Sequence, residues 1–280
     1  PDLKQLSEYR ELFLGGGSLA LAITKKYPKL KILVNDYFEP LYNFWKVLQS
    51  RGDELQEEVF KLKRNCGVKP IKTKDTYKDQ RWNKTTNLFN KCKKIIIEDK
   101  GNSFERAVAF YIINRVSFSG LTATSSVSKS CTDSHFTLHS IFRLSAYKEL
   151  IKNWQITNKS YEELLTDSKK IFIYLDPPYE FEKKKYVAKW SLQVYGKSGS
   201  ASKSFNHRLF CENVKNIKNN IEIIFAHKSV KWKNNARDNA GVTVSIIGLK
   251  KTSNIKKRLF VDGYERVCNN INPYLIISET

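Results

Sequence analysis

Methionine is absent from all 280 residues, initiator included, which implies that the natural chain continues upstream of residue 1. Cysteine is sparse: Cys66, Cys92, Cys131, Cys211 and Cys268 are odd in number and contain no C-x-x-C. A reducing interior, such as a bacterial or phage/viral cytoplasm, is their simplest home. No apolar run is long enough to span a bilayer and no signal peptide is visible, so no membrane partner is expected. Histidine numbers four. Cys131, His135 and His139 are spaced by four, but they sit in a poor helix-forming segment with no obvious fourth ligand, and no metal site is assigned. Acidic residues are also short, 28 Asp+Glu against 49 Lys+Arg, leaving a formal net charge of +21. Even after discounting the Lys/Asn bias of an AT-rich genome, that surplus exceeds solubility needs. It points to a polyanion partner, with nucleic acid first.

What is present can build a core. Hydrophobic residues make up 41% of the chain, enough for one large domain or one domain carrying an insertion. Tyr9–Leu14 reads as a first strand ending in Gly15-Gly16-Gly17, with Ser18 placed to cap the following helix. Strand, glycine turn and helix together let a backbone approach a ligand closely. A second strand, Lys31–Val34, ends at Asn35-Asp36, and Asp36 falls 19 residues beyond Gly17. That is near the spacing of about 20 at which a carboxylate takes a ribose in dinucleotide-binding folds. The glycine run with its spaced acid favours a nucleoside-containing cofactor.

Helices are expected at Leu41–Gln49 and Glu54–Leu62. Between Lys61 and Lys94 stand twelve Lys or Arg against Asp75 and Asp79, with Tyr77, Trp82 and Phe89 interleaved. A charge run is often only a solvated face. Cations mixed with aromatics argue instead for a nucleic-acid surface, with Lys72, Lys74, Arg81 and Trp82 as candidate contacts. Asn102 and Glu105 have capping-box spacing and should open a helix through Ile113. From Leu121 to Ser140 the chain is rich in Ser and Thr. It reads as a loop or hairpin suited to phosphates or base edges, Lys129 among them. A helix near Ile141–Lys152 then leads to a strand at Trp154–Thr157 and a short helix from Tyr161.

Ile171–Leu175 reads as a buried parallel strand, and Asp176-Pro-Pro-Tyr179 follows it. Two prolines stop both strand and helix, placing an acid and an aromatic at the carboxyl end of a strand, where open α/β sheets bind ligands. The Asp176 carboxylate and Pro177 carbonyl can each accept a hydrogen bond from an exocyclic amine, and Tyr179 offers a face to an unstacked base. Residues 180–203 read as a long polar lid loop. Ile221–Ala226 is expected to be a strand ending at His227-Lys228. Val242–Ile247 and Tyr274–Ser278 should close the sheet as an antiparallel pair.

Taken together, Phe13-Leu-Gly-Gly-Gly-Ser18, Asn35-Asp36, Asn114-Arg-x-x-Phe-x-Gly-Leu121 and Asp176-Pro-Pro-Tyr179 resemble the alpha-group (Dam-like) DNA adenine-N6 methyltransferases, in the same order. The resemblance covers roughly residues 9–228. It implies a Rossmann-like α/β sheet with a terminal antiparallel hairpin. Residues 1–50 and 150–280 would form the catalytic domain, and 51–149 an inserted target-recognition region. It implies S-adenosylmethionine (AdoMet) as cofactor and duplex DNA, with a flipped adenine, as substrate. A cognate restriction endonuclease is the further partner considered. Phe13, Gly15, Gly16, Gly17 and Ser18 would hold the methionine end of AdoMet and Asp36 its ribose, with Tyr161 beside the cofactor. Asp176, Pro177, Pro178 and Tyr179 would form the catalytic pocket, Asp176 also bordering the cofactor. Asn114, Arg115 and Ser117 would open the DNA-recognition segment, and Tyr195 belongs to an aromatic lid. Ser160 stands where the family usually has an Asp facing the cofactor adenine; its hydroxyl can bond an amino group without charge. Residues 1–8 lack the family's Gly-Gly-Lys segment. An RNA adenine methyltransferase and an inactive nucleic-acid-binding relative stay open, as does cytosine N4 against adenine N6, since both are exocyclic amines.

Overall fold

The computed structural model describes residues 3–69, 79–117, 126–166, 168, 170–175, 221–232, 242–251, 255–272 and 275–277. Strands β1 (Glu8–Glu11), β2 (Lys31–Asn35), β3 (Gln155–Thr157) and β4 (Ile171–Tyr174) form one sheet in the order β3-β2-β1-β4. β2 runs parallel to both β1 and β3, with Glu8 opposite Lys31 and Asn35 opposite Thr157. Parallel neighbours need crossovers. The first is α1 (Ser18–Lys26). The second is long, carrying α2 (Glu39–Cys66), α3 (Gln80–Ile97), α4 (Ser103–Val116), α5 (Lys129–Ser134) and α6 (Leu138–Ile151). Ile32, Leu33 and Val34 of β2 are all buried, as a strand covered on both faces requires.

α4 is the helical centre of the core. Residues Ala107–Ile113 are buried without a break, the signature of a helix enclosed on all sides. Its start is the expected capping box: Glu105 N donates to Asn102 Oδ1 at 3.0 Å and Asn102 N to Glu105 Oε2 at 2.8 Å. Phe44 of α2 packs on its Phe110 and Tyr111 rings, and the same core cluster takes in Trp45 and Leu48 of α2, Phe89 of α3 and Ile141 of α6. Gln49 fastens α2 to the entry of β3, its amide donating to the carbonyls of Ile151 and Trp154, each at 2.8 Å.

A second unit holds β5 (Ile221–Trp232), β6 (Val242–Lys251), β7 (Lys257–Val261) and β8 (Tyr264–Cys268), in the order β6-β5-β7-β8. β5 pairs antiparallel with β6 and parallel with β7, and β7 with β8 form a tight hairpin. The hairpin turn is Asp262-Gly263, both at positive φ (51° and 85°), the geometry that favours Asp-Gly. Phe225 lies over Gly248, where a Cβ would meet its ring at 2.1 Å.

Several expectations are corrected. The helices expected at 41–49 and 54–62 are both present, as the two arms of α2, which meet at a kink where Arg51 leaves helical geometry (φ −130°, ψ 32°). The bend lets Gly52 pack on α6, with room for no side chain: a Cβ there would lie 2.7 Å from Lys148 Cβ. Ser18 does not cap α1; Gly17 occupies the cap position and no side chain bonds there. The segment expected as a loop to Ser140 is helical from Lys129, in α5 and the start of α6, because Ser128 and Thr137 each cap a helix through a side-chain oxygen. β4 is half-buried along its length rather than fully buried. β5 continues past His227 to Trp232, and among the described residues it is β5, not the 274–278 segment, that pairs antiparallel with β6. That last stretch contributes one isolated bridge, Ile271 to Ile277.

Candidate cofactor site and nucleic-acid surface

The glycine turn is shaped by contacts on both sides. Beyond β1, Leu12 and Leu14 are buried while Phe13 between them is half-exposed. Leu14 N donates to Asn35 O at 2.9 Å and Gly17 N to Leu14 O at 2.8 Å, closing the turn against β2. Gly15 (φ 50°) and Gly17 (φ 65°) are both left-handed. From below, Trp45 of α2 supports the loop: its indole N–H donates to Gly15 O at 3.2 Å, and a Cβ on Gly17 would sit 2.9 Å from its ring. Above, Gly15 and Gly16 are exposed, with no atom of the described residues within 4 Å of where their Cβ would be. The loop is thus a bare backbone cradle, which suits close approach of a ligand. Gly17→Ala should lower stability by about 1–2 kcal/mol for the left-handed backbone alone, with the Trp45 overlap adding to it. Urea titration monitored by tryptophan fluorescence measures the loss, and an unchanged midpoint would contradict this account of the turn.

Asp36, at the end of β2, faces this cradle. Its Oδ2 accepts from Gly15 N at 3.0 Å and its Oδ1 from Phe38 N at 2.9 Å. Burial lifts the carboxyl above its ordinary value, and the two backbone N–H groups pull it partly back. Each oxygen keeps a lone pair, so the carboxylate can also accept hydroxyl protons. Across from it, the loop after β3 brings Ser160 and Tyr161. The Tyr161 ring lies 5.5 Å from that of Phe13, tilted by 38°. The glycine turn and Asp36 therefore lie together at the carboxyl ends of β1 and β2, with Tyr161, next to Ser160 in the chain, against Phe13.

Two residues of this site carry no role in the sequence reading. Trp45 is one; its place in the second turn of an amphipathic helix gives no hint of the loop it supports. Asn35 is the other. Its amide is 1% exposed and makes four hydrogen bonds to the loops around it.

Asp176, Pro177, Pro178, Tyr179, Lys72, Lys74 and Tyr195 lie outside the described residues. Arg81 and Trp82 sit in the first turn of α3, and Arg81 is paired with Asp79 at 2.8 Å. Asn114 is exposed and Arg115 half-buried near the end of α4, the Arg115 guanidinium 5.3 Å from the Tyr111 ring. Ser117 is 1% exposed, and its hydroxyl has no partner among the described residues. Lys129 begins α5. The basic stretch is not uniformly outward. Lys63 is buried, its ammonium 4.8 Å from the Phe136 ring. The end of α2 and one face of α3 instead enclose an open groove of about 680 Å³, with Arg64, Asn65, Lys84, Asn87 and Lys91 exposed along it. No carboxylate lines it among the described residues.

A parallel sheet with a glycine turn after its first strand, an acid after its second and crossover helices between them defines a Rossmann-like α/β unit. The chain belongs, more particularly, to the D12 class N6 adenine-specific DNA methyltransferases, whose family model matches residues 2–236. It is 27% identical over 182 residues to the type II methyltransferase M.MjaIII of Methanocaldococcus jannaschii, covering 62% of this chain and 59% of that protein. It is 47% identical over 60 residues to DNA methyltransferase A of Bacillus subtilis, covering 21% of this chain and 7% of that one. The chain thus spans from a small fraction to somewhat over half of the length of these relatives.

Proposed function

We propose that this chain transfers the methyl group of AdoMet to the N6 amino group of adenine in duplex DNA. The observation that carries the reading is the convergence of Asp36, the bare Gly15-Gly16 backbone and the Phe13–Tyr161 pair at one sheet edge, in a chain of this family. These groups fit the cofactor's parts. The glycine turn takes the methionine end, Asp36 the ribose hydroxyls, Ser160 the adenine amine, and the rings of Phe13 and Tyr161 its flat faces. AdoMet supplies an electrophilic methyl on sulfur. The chain's own task is to make the target nitrogen nucleophilic, because its lone pair is delocalised into the adenine ring. Asp176 and the Pro177 carbonyl would accept hydrogen bonds from its two N–H groups, favouring a tetrahedral nitrogen aimed at the methyl group, with one proton then lost from nitrogen as the methyl leaves sulfur. Pro178 stiffens the turn, and Tyr179 stacks on the flipped base, offsetting part of an unstacking cost of a few kcal/mol.

Residues 51–149 serve as the target-recognition region in this reading, with residue 51 itself inside α2. Arg115 and the segment after it read bases, and the lid contributes Tyr195. The enzyme works in the cytoplasm of a cell or infected cell. A cognate restriction endonuclease is the further partner this reading adds.

The direct test is to incubate the full-length protein with labelled AdoMet and, separately, duplex DNA and RNA, then identify the labelled nucleoside. N6-methyladenine in DNA supports the proposal. Label in RNA alone favours an RNA enzyme, and N4-methylcytosine overturns the base assignment. Tight DNA binding without transfer leaves an inactive relative. Replacing Arg64, Lys84 and Lys91 together by Gln should weaken binding to all duplex sequences alike. Each lost phosphate contact should flatten the slope of log K against log salt by about 0.9. A sequence-selective loss, or none, measured by fluorescence anisotropy across a salt series, would remove the groove from the phosphate path.

A further inference from the structure

We infer that Asn35 is a positioning residue for cofactor binding, holding the three loops of the site in register through one buried amide; this rests on the AdoMet reading above. Its two N–H groups donate to Leu12 O at 3.1 Å and to Lys159 O at 3.0 Å. Its Oδ1 accepts from the Thr157 hydroxyl at 2.8 Å and from Lys159 N at 2.9 Å. Two donors and two acceptor positions are all that a primary amide has, so its capacity is filled. The partners matter by position. Leu12 immediately precedes Phe13 and the glycine turn, Lys159 immediately precedes Ser160 and Tyr161, and Asn35 itself precedes Asp36. One side chain therefore sets where the aromatic pair, the acid and the hydroxyl stand relative to one another.

The choice of an amide follows from what it faces. Two carbonyl oxygens on one side require a donor; a hydroxyl and a backbone N–H on the other require an acceptor. Asp would place an oxygen against both carbonyls, and Leu would withdraw all four bonds at once from a position that is itself 1% exposed. The backbone bonds from Leu14 N to Asn35 O and from Asp36 N to Thr157 O run beside the amide. They keep the strands paired when it is changed, so the effect should fall on loop placement more than on the sheet. A ligand that touches all three loops then feels the change, whereas duplex DNA held by the α2–α3 groove does not.

The test uses Asn35→Asp and Thr157→Val in the full-length protein, with AdoMet and, separately, S-adenosylhomocysteine as probes in calorimetry, and steady-state methylation of duplex DNA. Asn35→Asp should raise the dissociation constants of both probes, and the KM for AdoMet, about tenfold or more, while kcat at saturating AdoMet and the affinity for non-specific DNA stay near wild type. Thr157→Val, which removes one of the four bonds, should shift the same constants in the same direction by less. If Asn35→Asp does not fold, Thr157→Val alone decides. Unchanged probe affinity in a folded variant overturns the inference. So does a fall of kcat, DNA affinity and probe affinity together with the melting temperature, which would make the amide merely structural. A wild-type protein that binds neither probe would sink the AdoMet reading itself, an outcome distinct from both.

Discussion

Asp176→Ala should leave AdoMet affinity and non-specific DNA affinity close to wild type while turnover falls on the order of a hundred- to a thousandfold, the usual effect of removing one preorganised electrostatic contact. The reason is what the carboxylate touches in the proposed mechanism: the reacting amine, and neither the DNA backbone nor the main body of the cofactor. Asp176→Asn separates charge from hydrogen bonding. The amide keeps the shape and one acceptor, so part of the activity should survive if accepting the amine's hydrogen is the main requirement. Calorimetry with AdoMet, anisotropy with duplex DNA and single-turnover methylation read the three quantities independently. Loss of binding along with activity would make Asp176 structural. An unchanged single-turnover rate would remove it from the chemistry.

Asp36→Ala should weaken AdoMet about ten- to a hundredfold, corresponding to the roughly 1.5–3 kcal/mol lost with charge-assisted hydrogen bonds. In the free protein the same carboxylate accepts from Gly15 and Phe38, so the variant loosens the cradle as well as removing the ribose contact. Because burial raises the carboxyl's pKa, the folded protein holds this proton at a higher pH than the unfolded chain does. The ionised form needed for the ribose is therefore lost, as pH falls, earlier than an ordinary Asp would lose it. Wild-type AdoMet affinity should decline on acidification through that raised value, and Asp36→Ala should flatten the decline. Equal affinity of the variant and wild type at neutral pH would take Asp36 out of the site.

How much of this was legible follows from the range of each signal. β1, the glycine turn, β2 and Asp36 are close in sequence, and their pattern is local; so is the Asn102–Glu105 box. Both strands and the capping box stand where the pattern puts them, except that β1 ends at Glu11, short of Leu14, and a left-handed Gly17 rather than Ser18 holds the cap of α1. The kink in α2 falls at Arg51, between the two helices that the pattern predicts, where Gly52 packs on Lys148 of α6. The β7–β8 hairpin carried a local signal that was missed, Asp262-Gly263 between alternating residues. Asn35 and Trp45 could not be assigned from the chain alone. Asn35 meets partners more than 120 residues away, and nothing in its neighbourhood announces Lys159.

α2 joins two surfaces that the proposal gives to different ligands. Near its start Trp45 props the glycine turn, and near its end Arg64 lines the basic groove, 19 residues on, or roughly 28 Å along a helix. Between them lies the bend, wedged against α6 with no space for even a methyl group on Gly52. In the proposed reading cofactor and DNA are thus joined through one bent helix. Any factor by which AdoMet binding changes the affinity for DNA is also the factor by which DNA changes the affinity for AdoMet, since the free energy that links two binding events is the same read from either end.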